Sequence, residues 1–146
     1  MVLWRISRHH ELSGSGGLKV SARWHYAGRP IVYLAETPAA ALVEVCVHTS
    51  ANDVPGSFTL LRIEGPDVAV PSIDLAALPK DWPARLKVMR DLGSAWLERQ
   101  QSVLLRVPSA IVPETSNYLF NPLHRLAAKF RIAEAIAYPF DRRLKR

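Results

Sequence analysis

Residues 31–48 read IVYLAETPAAALVEVCVH, and this stretch decides the fold. Its first part, residues 31–35, is a short apolar run rich in β-branched and aromatic side chains, which predicts a central strand. Thr37 has the residue type of a helix N-cap and Pro38 suits the first helical position, so the alanine-rich residues 39–48 are predicted to form a helix. The whole stretch is therefore expected to be a strand that feeds directly into a helix.

The chain on either side predicts further elements. Three more apolar runs have strand character: residues 2–6, 57–63 and 103–107. Residues 71–83 are rich in proline and predict an irregular connection, whereas residues 85–100 have apolar side chains at helical spacing, with charged side chains on the opposite side. Residues 117–122 predict a turn, and a short helix is expected from Pro122 to Lys129. Residues 131–140 favour helix by propensity, but a short run that ends at Pro139 also suits an edge strand, which is our prediction.

Length and composition limit the classes of protein to consider. At 146 residues and 49% hydrophobic, residues 1–146 are predicted to form one domain with a real core. No apolar stretch reaches the roughly 18 to 20 residues that a bilayer span needs, and charge interrupts the N-terminus early, so we expect a cytoplasmic protein. The single cysteine, Cys46, excludes an internal disulfide and a multi-cysteine metal site. The net charge of +6 favours an anionic partner, which nucleic acid, an acidic protein and a phosphorylated small molecule all satisfy.

Two segments about eighty residues apart place Arg23, Tyr33, Glu44 and Ser109 among apolar neighbours. An arginine and a glutamate in apolar surroundings are costly unless each has a partner, so the pattern indicates a pocket for a small anionic substrate. Simpler interpretations remain open for each residue. Glu44 shares a helical face with His48 and could point into water, Tyr33 could be a core aromatic, and Ser109 could be an ordinary turn residue because no Gly-x-Ser-x-Gly motif surrounds it.

The order and separation of these segments resemble the RES domain family, which is named for a characteristic arginine, glutamate and serine. The matching motifs run almost from end to end: Trp4-Arg5-Ile6-Ser7, Arg23-Trp24, Val32-Tyr33-Leu34-Ala35-Glu36, Ala41-Leu42-Val43-Glu44, Gly93-x-x-Trp96-Leu97, Val107-Pro108-Ser109-Ala110, Asn117-Tyr118-Leu119-x-Asn121-Pro122 and Phe140-Asp141-x-Arg143-Leu144. The chain departs from the family pattern at two places. Ser21-Ala22 stands where the family commonly has glycine, and His25 stands where asparagine is more usual.

The resemblance implies a fold and a biological role. The fold would be α/β, a compact single domain similar to that of ADP-ribosyltransferases, with a small central mixed sheet and flanking helices. The protein would be the toxin of a bacterial type II toxin–antitoxin system that consumes NAD as its substrate and needs no metal. Its partner would be an antitoxin with an Xre-like helix-turn-helix part, which blocks the pocket in a neutralising hetero-oligomer. DNA would be contacted only through the antitoxin, and no membrane is implied.

The chemistry of NAD cleavage suggests a role for each of four side chains: Arg23, Tyr33, Glu44 and Ser109. The bond between ribose and nicotinamide already carries a cationic leaving group, so a catalyst must orient the substrate and stabilise the oxocarbenium-like charge that grows on the sugar. We therefore hypothesise that Glu44 stabilises this charge or positions the ribose, and that Arg23 holds the diphosphate. Tyr33 would stack on nicotinamide, and Ser109 would bind substrate or orient Glu44. Three further candidates for NAD binding in the pocket wall are Arg5, Asn117 and Asn121.

The sequence leaves the acceptor and two other functions open. Water as acceptor would make the protein an NAD glycohydrolase, phosphate would make it a phosphorylase, and a side chain of a host protein would make it an ADP-ribosyltransferase. A small basic ribonuclease toxin is an alternative, because histidine can supply acid and base and the chain has five: His9, His10, His25, His48 and His124. A noncatalytic module with a basic face is less favoured, since the chain lacks a run of interleaved basic and aromatic residues.

Overall fold

A six-stranded sheet lies at the centre of the computed structural model, which describes residues 1–145. Its strands are β1 (Val2–Ile6), β2 (Val32–Ala35), β3 (Ser57–Glu64), β4 (Leu104–Pro108), β5 (Ser116–Phe120) and β6 (Arg131–Pro139). The α-helices are α1 (Gly16–Lys19), α2 (Pro38–His48) and α3 (Leu86–Arg99). Short 3-10 helices occupy Ala51–Asp53, Leu75–Ala77, Trp82–Ala84, Ala127–Lys129 and Arg142–Leu144. No helix within residues 1–145 is long and apolar enough to cross a bilayer.

The strand that runs into a helix is confirmed at β2 and α2. The Thr37 hydroxyl accepts a hydrogen bond from the backbone N–H of Ala40 at 3.0 Å, as an N-cap does, and Pro38 is the first helical residue. The only residue between this cap and the strand is Glu36. The turn is therefore tight, and it places the first turns of α2 close to the end of β2.

The strand order is β4-β5-β2-β1-β3-β6, and every ladder between these strands is antiparallel. The expected α/β fold with flanking helices is confirmed, but the mixed sheet is not found. The chain does cross over from β2 through α2 to β3, which would give a parallel pair if the two strands were neighbours. Instead β1 lies between them and is antiparallel to both. The parallel pairing that remains among the described residues is an isolated bridge between Ser72 and Arg106.

Two predictions in the C-terminal half need correction. The turn expected at residues 117–122 is wrong, because Ser116–Phe120 forms β5 and pairs with β2 on one side and β4 on the other. These two ladders outweigh the turn preference of the asparagines, and the chain turns only from Asn121 onward. The short helix expected from Pro122 is reduced to the 3-10 turn Ala127–Lys129. The edge strand is confirmed as β6, which pairs with β3 alone.

Helix α3 packs its small-residue face against the segment that carries Arg23. Four predicted core residues of this helix are buried: Met89, Gly93, Trp96 and Leu97. Leu86 and Leu92 follow the same helical spacing but are each 39% exposed, because they lie at the margins of this face. A Cβ at Gly93 would overlap the carbonyl oxygen of Trp24, so only glycine lets the helix come this close.

Candidate functional site

The predicted site residues converge on a cavity of about 690 Å³. Its walls come from β1, β2, α2, α3, the ends of β4 and β5, and residues 21–24. Five of the seven candidates line it: Arg5, Arg23, Tyr33, Glu44 and Asn117. Residues from distant parts of the sequence, from Arg5 to Asn117, thus face one cavity.

Glu44 supplies the carboxylate of this cavity. Its Oε1 atom accepts a hydrogen bond from the Ser109 hydroxyl at 3.0 Å and one from the Asn117 side-chain amide at 2.8 Å. Both donors address the same oxygen, so Oε2 is left available for a ligand. Glu44 therefore faces the cavity, and its simpler interpretation as a residue that points into bulk water is wrong.

Ser109 follows β4 directly and is buried. Its hydroxyl oxygen accepts hydrogen bonds from the backbone N–H groups of Ile111 and Val112 at 3.2 and 3.3 Å. These donors leave the hydroxyl proton free to point at Glu44. Ser109 itself does not line the cavity, although its neighbours Pro108 and Ala110 do. Its geometry suits the orientation of Glu44 better than contact with a substrate.

In the side-chain amide of Asn117 the nitrogen has a hydrogen-bond partner, whereas the oxygen has none among the described residues. The amide nitrogen donates to Glu44, which fixes the orientation of the amide group. The Oδ1 atom is buried and has no hydrogen-bond partner among the described residues. Leaving such an acceptor unpaired costs about 1–3 kcal/mol.

Three arginines line the cavity without carboxylate partners. Arg5, Arg23 and Arg90 take part in none of the ion pairs formed within residues 1–145. Each donates to a backbone carbonyl instead: Arg5 to Glu11 at 3.2 Å, Arg23 to Pro83 at 2.8 Å and Arg90 to Ala22 at 2.8 Å. Burial lowers the pKa of Arg5 from its usual value. Three guanidinium groups facing one carboxylate give the cavity a positive balance that suits a diphosphate.

Arg90 was missed by sequence reasoning, because the helical periodicity assigns it to the polar, solvent-facing side of residues 85–100. In the structure Arg90 lies beside residues 21–24, which we call the Arg23 segment. Its guanidinium donates a hydrogen bond to the Ala22 carbonyl. The available signal was Gly93, three residues later. A glycine on the packed face of an amphipathic helix marks the place where another backbone comes close.

The hydroxyl of Tyr33 is engaged by the protein, so its ring is the part available to a ligand. The oxygen accepts a hydrogen bond from the backbone N–H of Trp24 at 3.1 Å and lies 2.8 Å from Nδ1 of His25. Burial raises the pKa of Tyr33 and lowers the pKa of His25. Both groups are therefore neutral around pH 7. The sequence had identified His25 as a departure from a motif and as one of five histidines that could serve a ribonuclease, and not as a partner of Tyr33.

Asn121 does not reach the cavity. It is buried, its amide nitrogen donates to the Leu97 carbonyl at 3.3 Å, and its Oδ1 accepts from the N–H of Leu123 at 3.1 Å. Asn121 lies one residue beyond the end of β5, and its side chain ties that end to α3. The prediction that it forms part of the pocket wall is not supported by this placement.

A second cavity of about 470 Å³ adjoins the first. Arg5, Ala22 and Tyr33 line both, so they form the partition between them. The glycine-rich residues 14–17 and His25 form part of the far wall. No group of three or more His, Cys, Asp or Glu side chains placed to hold a metal ion occurs among residues 1–145.

Comparison with known proteins gives a consistent pattern. A family model described as "RES domain" matches residues 2–141. A protein named Toxin Res from Pseudomonas putida is 50% identical over 134 residues, which cover 90% of this chain and 92% of that protein. A "Prs ADP-ribosylating toxin" from Sphingobium is 36% identical, with 98% of this chain and 96% of that protein covered. The crystal structure of the M. tuberculosis MbcT–MbcA toxin–antitoxin complex contains a similar fold, with a TM-score of 0.78, 18% identity, and coverage of 94% of this chain and 84% of that one.

Proposed function

The chain belongs to the RES domain family, and from that premise we propose that it is the toxin of a toxin–antitoxin system and that it cleaves NAD between nicotinamide and ribose. The observation that supports this most is the pairing in one cavity of Glu44 with three arginines that have no carboxylate partner among the described residues. That combination matches the needs of a substrate with a reacting sugar and a diphosphate. The names of the similar proteins support the same class.

Glu44 performs the central electrostatic task in this proposal. When the bond between ribose C1 and the nicotinamide nitrogen breaks, its electron pair leaves with nicotinamide and positive charge develops on the ribose ring. A carboxylate oxygen beside the ring stabilises that charge in the transition state. With Oε1 held by Ser109 and Asn117, Oε2 is already directed before the substrate arrives, which is the preorganisation that electrostatic catalysis requires. Water then adds to C1 and releases a proton, which gives ADP-ribose.

The guanidinium groups bind the other charged part of NAD. Arg23 is held by the Pro83 carbonyl and lines the same cavity as Glu44, so its remaining donors can bind the diphosphate. Arg5 and Arg90 add positive charge to the wall of the same cavity. Because guanidinium presents a planar set of donors, it binds phosphate oxygens in pairs, which lysine does poorly.

The aromatic walls suit the nicotinamide ring. Tyr33 presents its ring to the cavity, and Trp4 and Trp24 also line it. Stacking on such faces orients a planar cationic ring and keeps water from it. We therefore keep the proposal that Tyr33 stacks on nicotinamide. This role belongs to its ring and not to its hydroxyl.

A second candidate is transfer of ADP-ribose to a protein. It is favoured by one specific comparison, the relative whose name describes an ADP-ribosylating toxin. The same carboxylate and arginines serve this reaction, since the bond that breaks is the same and only the acceptor differs. Phosphate as acceptor is a third variant of the same chemistry.

The ribonuclease alternative has less support. His25 and His124 are buried, and His124 Nδ1 accepts from the N–H of Leu126. His48 lines the cavity with Glu44, whereas His9 lines the second cavity. RNA cleavage needs a general base at the 2′-hydroxyl and a general acid at the leaving oxygen. His48 and His9 line different cavities, and His25 in the second cavity is buried.

We propose as partner an antitoxin with an Xre-like helix-turn-helix part that covers the mouth of the cavity and that alone contacts DNA. Four exposed apolar side chains lie close in sequence to Glu44 or to its partner Ser109: Val43, Val47, Ile111 and Val112. The first two flank Glu44 on α2, and the backbones of the other two are held by Ser109. Apolar side chains beside a basic cavity suit a segment that carries both apolar and acidic residues.

The proposed function is tested by incubating the purified protein with NAD, with NAD and phosphate, and with total RNA. Release of nicotinamide supports NAD cleavage, and the accompanying product identifies the acceptor: free ADP-ribose for water, a phosphorylated ADP-ribose for phosphate, or a mass increase of a protein. RNA fragments without nicotinamide release would support the ribonuclease instead.

A further inference from the structure

His25 is a buried polar side chain in the wall of the second cavity. It is 1% exposed. Its segment is held from several sides: the Arg90 guanidinium binds the Ala22 carbonyl, the N–H of Tyr26 donates to the Ser94 hydroxyl, and Gly93 packs on Trp24. A buried imidazole in so constrained a place has a single geometry available to it.

The hydrogen bonds of His25 determine its tautomer. Nε2 lies 3.2 Å from the carbonyl oxygen of Gly17, which can only accept, so Nε2 carries a proton. In the neutral imidazole Nδ1 is then the acceptor, and the partner at 2.8 Å is the Tyr33 hydroxyl. The Tyr33 oxygen in turn accepts from the N–H of Trp24. The result is a directed chain from Trp24 through Tyr33 and His25 to Gly17.

The charges around this chain favour neutral imidazole. Burial is the main cause that lowers the pKa of His25, and the positive charge of Arg90 on α3 lowers it further. The other charged or titratable groups in the second cavity are Arg5, His9, Glu11 and Lys19. Glu11, the single carboxylate among them, uses one oxygen to accept from the N–H of Ser13. An imidazolium at His25 would therefore face mainly positive neighbours.

We propose that His25 is a positioning residue for the NAD reaction: as the Nε2–H tautomer it fixes the Tyr33 hydroxyl on the backbone of Trp24, and so fixes the Arg23 segment and the Tyr33 ring relative to Glu44. This inference rests on the proposed function. Protonation of Nδ1 would replace its lone pair with a donor, and the Tyr33 hydroxyl would then lose the acceptor for its own proton. NAD would bind to a loosened Arg23 and Tyr33 while Glu44, held separately by Ser109 and Asn117, would keep its place.

Two substitutions test separately the roles of Nδ1 and Nε2 of His25. In His25→Asn the short amide places an acceptor near the position of Nδ1 and keeps the bond to Tyr33. In His25→Gln the longer amide reaches towards Gly17 and loses the bond to Tyr33. We expect His25→Gln to raise KM for NAD about tenfold with kcat changed less than threefold, which corresponds to roughly 1.4 kcal/mol of binding. We expect His25→Asn to keep KM within about threefold of the wild type. We also expect KM of the wild type to rise towards acidic pH and KM of His25→Asn to lack this rise.

A purely structural role gives a different result. Partial unfolding of both variants would lower kcat in proportion to the folded fraction and leave KM unchanged, and this outcome would overturn the proposal. Nitrogen-15 NMR of the wild-type histidines supplies a readout that needs no NAD, and an Nδ1–H tautomer at His25 near pH 7.5 would also overturn it. Absence of nicotinamide release by the wild-type protein would overturn the proposed function and, with it, the role of His25.

Discussion

Ser109 donates its hydroxyl proton to Oε1 of Glu44 at 3.0 Å, across 65 positions of sequence. The serine lies just beyond β4 and the glutamate in the middle of α2, so the bond joins the end of the sheet to the helix that covers it. The hydroxyl oxygen is fixed from behind by two backbone N–H groups. The carboxylate is therefore positioned by a side chain that does not itself line the cavity.

Replacement of Ser109 by alanine tests this positioning. A hydrogen bond to a charged group is worth about 1.5–3 kcal/mol, so we expect kcat for NAD cleavage to fall roughly 10- to 100-fold, with KM nearly unchanged. The measurement is steady-state nicotinamide release. Ser102→Ala is the matched control, because Ser102 is also a buried serine with hydrogen bonds, but its partners Trp96 and Leu104 do not line the cavity. Equal losses of kcat in the two variants would contradict the role of Ser109.

Arg23→Lys tests the binding of the diphosphate. Lysine keeps the charge but not the planar set of donors, so we expect KM for NAD to rise about tenfold and the dependence of KM on salt to persist. Arg29→Lys is the control, since Arg29 is remote from the first cavity and pairs on the surface with Glu98. An unchanged KM in Arg23→Lys would show that another group binds the phosphates.

Gly93→Ala tests the close approach of α3 to the Arg23 segment. On an open helix face this change stabilises a protein by up to about 1 kcal/mol, but here the new Cβ meets the Trp24 carbonyl. We expect a net loss of about 1–3 kcal/mol in the free energy of unfolding, measured by denaturant titration. Gly56→Ala is the matched control because its Cβ would meet nothing within 4 Å. A variant at position 93 as stable as the wild type would refute the close contact.

Stability should depend on pH through His25. Burial lowers its pKa in the folded protein below the value it has in the unfolded chain, about 6.5. The unfolded chain therefore binds a proton that the folded protein does not, so the free energy of unfolding falls as the pH drops below about 6.5. Denaturant titrations between pH 7.5 and 5 should show this fall in the wild type and a smaller one in His25→Asn. A wild-type stability that rises as the pH falls through this range would contradict the burial of a neutral imidazole.

The sequence was informative where the signal is local. The cap at Thr37 and the proline after it depend on residues a few positions apart, and the helix begins where they predict. The edge strand β6 was predicted for a similar reason, because Pro139 ends a short run. Strand β5 was not found, since Asn117 and Asn121 favour a turn locally and only the ladders to β2 and β4 decide the matter.

The candidate site shows the same difference between residues with a local sequence signal and residues that depend on distant contacts. The sequence identified Glu44 and Arg23 because charged residues in apolar segments are unusual, and the cavity contains both. It did not identify Arg90, whose place on the polar side of α3 is what periodicity predicts for a solvated arginine. Whether that side meets water or the Arg23 segment depends on the close contact at Gly93, which no pattern within the helix alone specifies.

The central claim is that Glu44 catalyses the cleavage of NAD, and the most direct measurement compares nicotinamide release by the wild-type protein and Glu44→Gln. Glutamine keeps the shape of the side chain but removes the negative charge, and loss of one preorganised electrostatic contact costs about 2.7–4 kcal/mol of barrier. We predict that kcat falls by roughly two to three orders of magnitude while the variant unfolds at the same temperature as the wild type. Wild-type release of nicotinamide by folded Glu44→Gln would contradict the account.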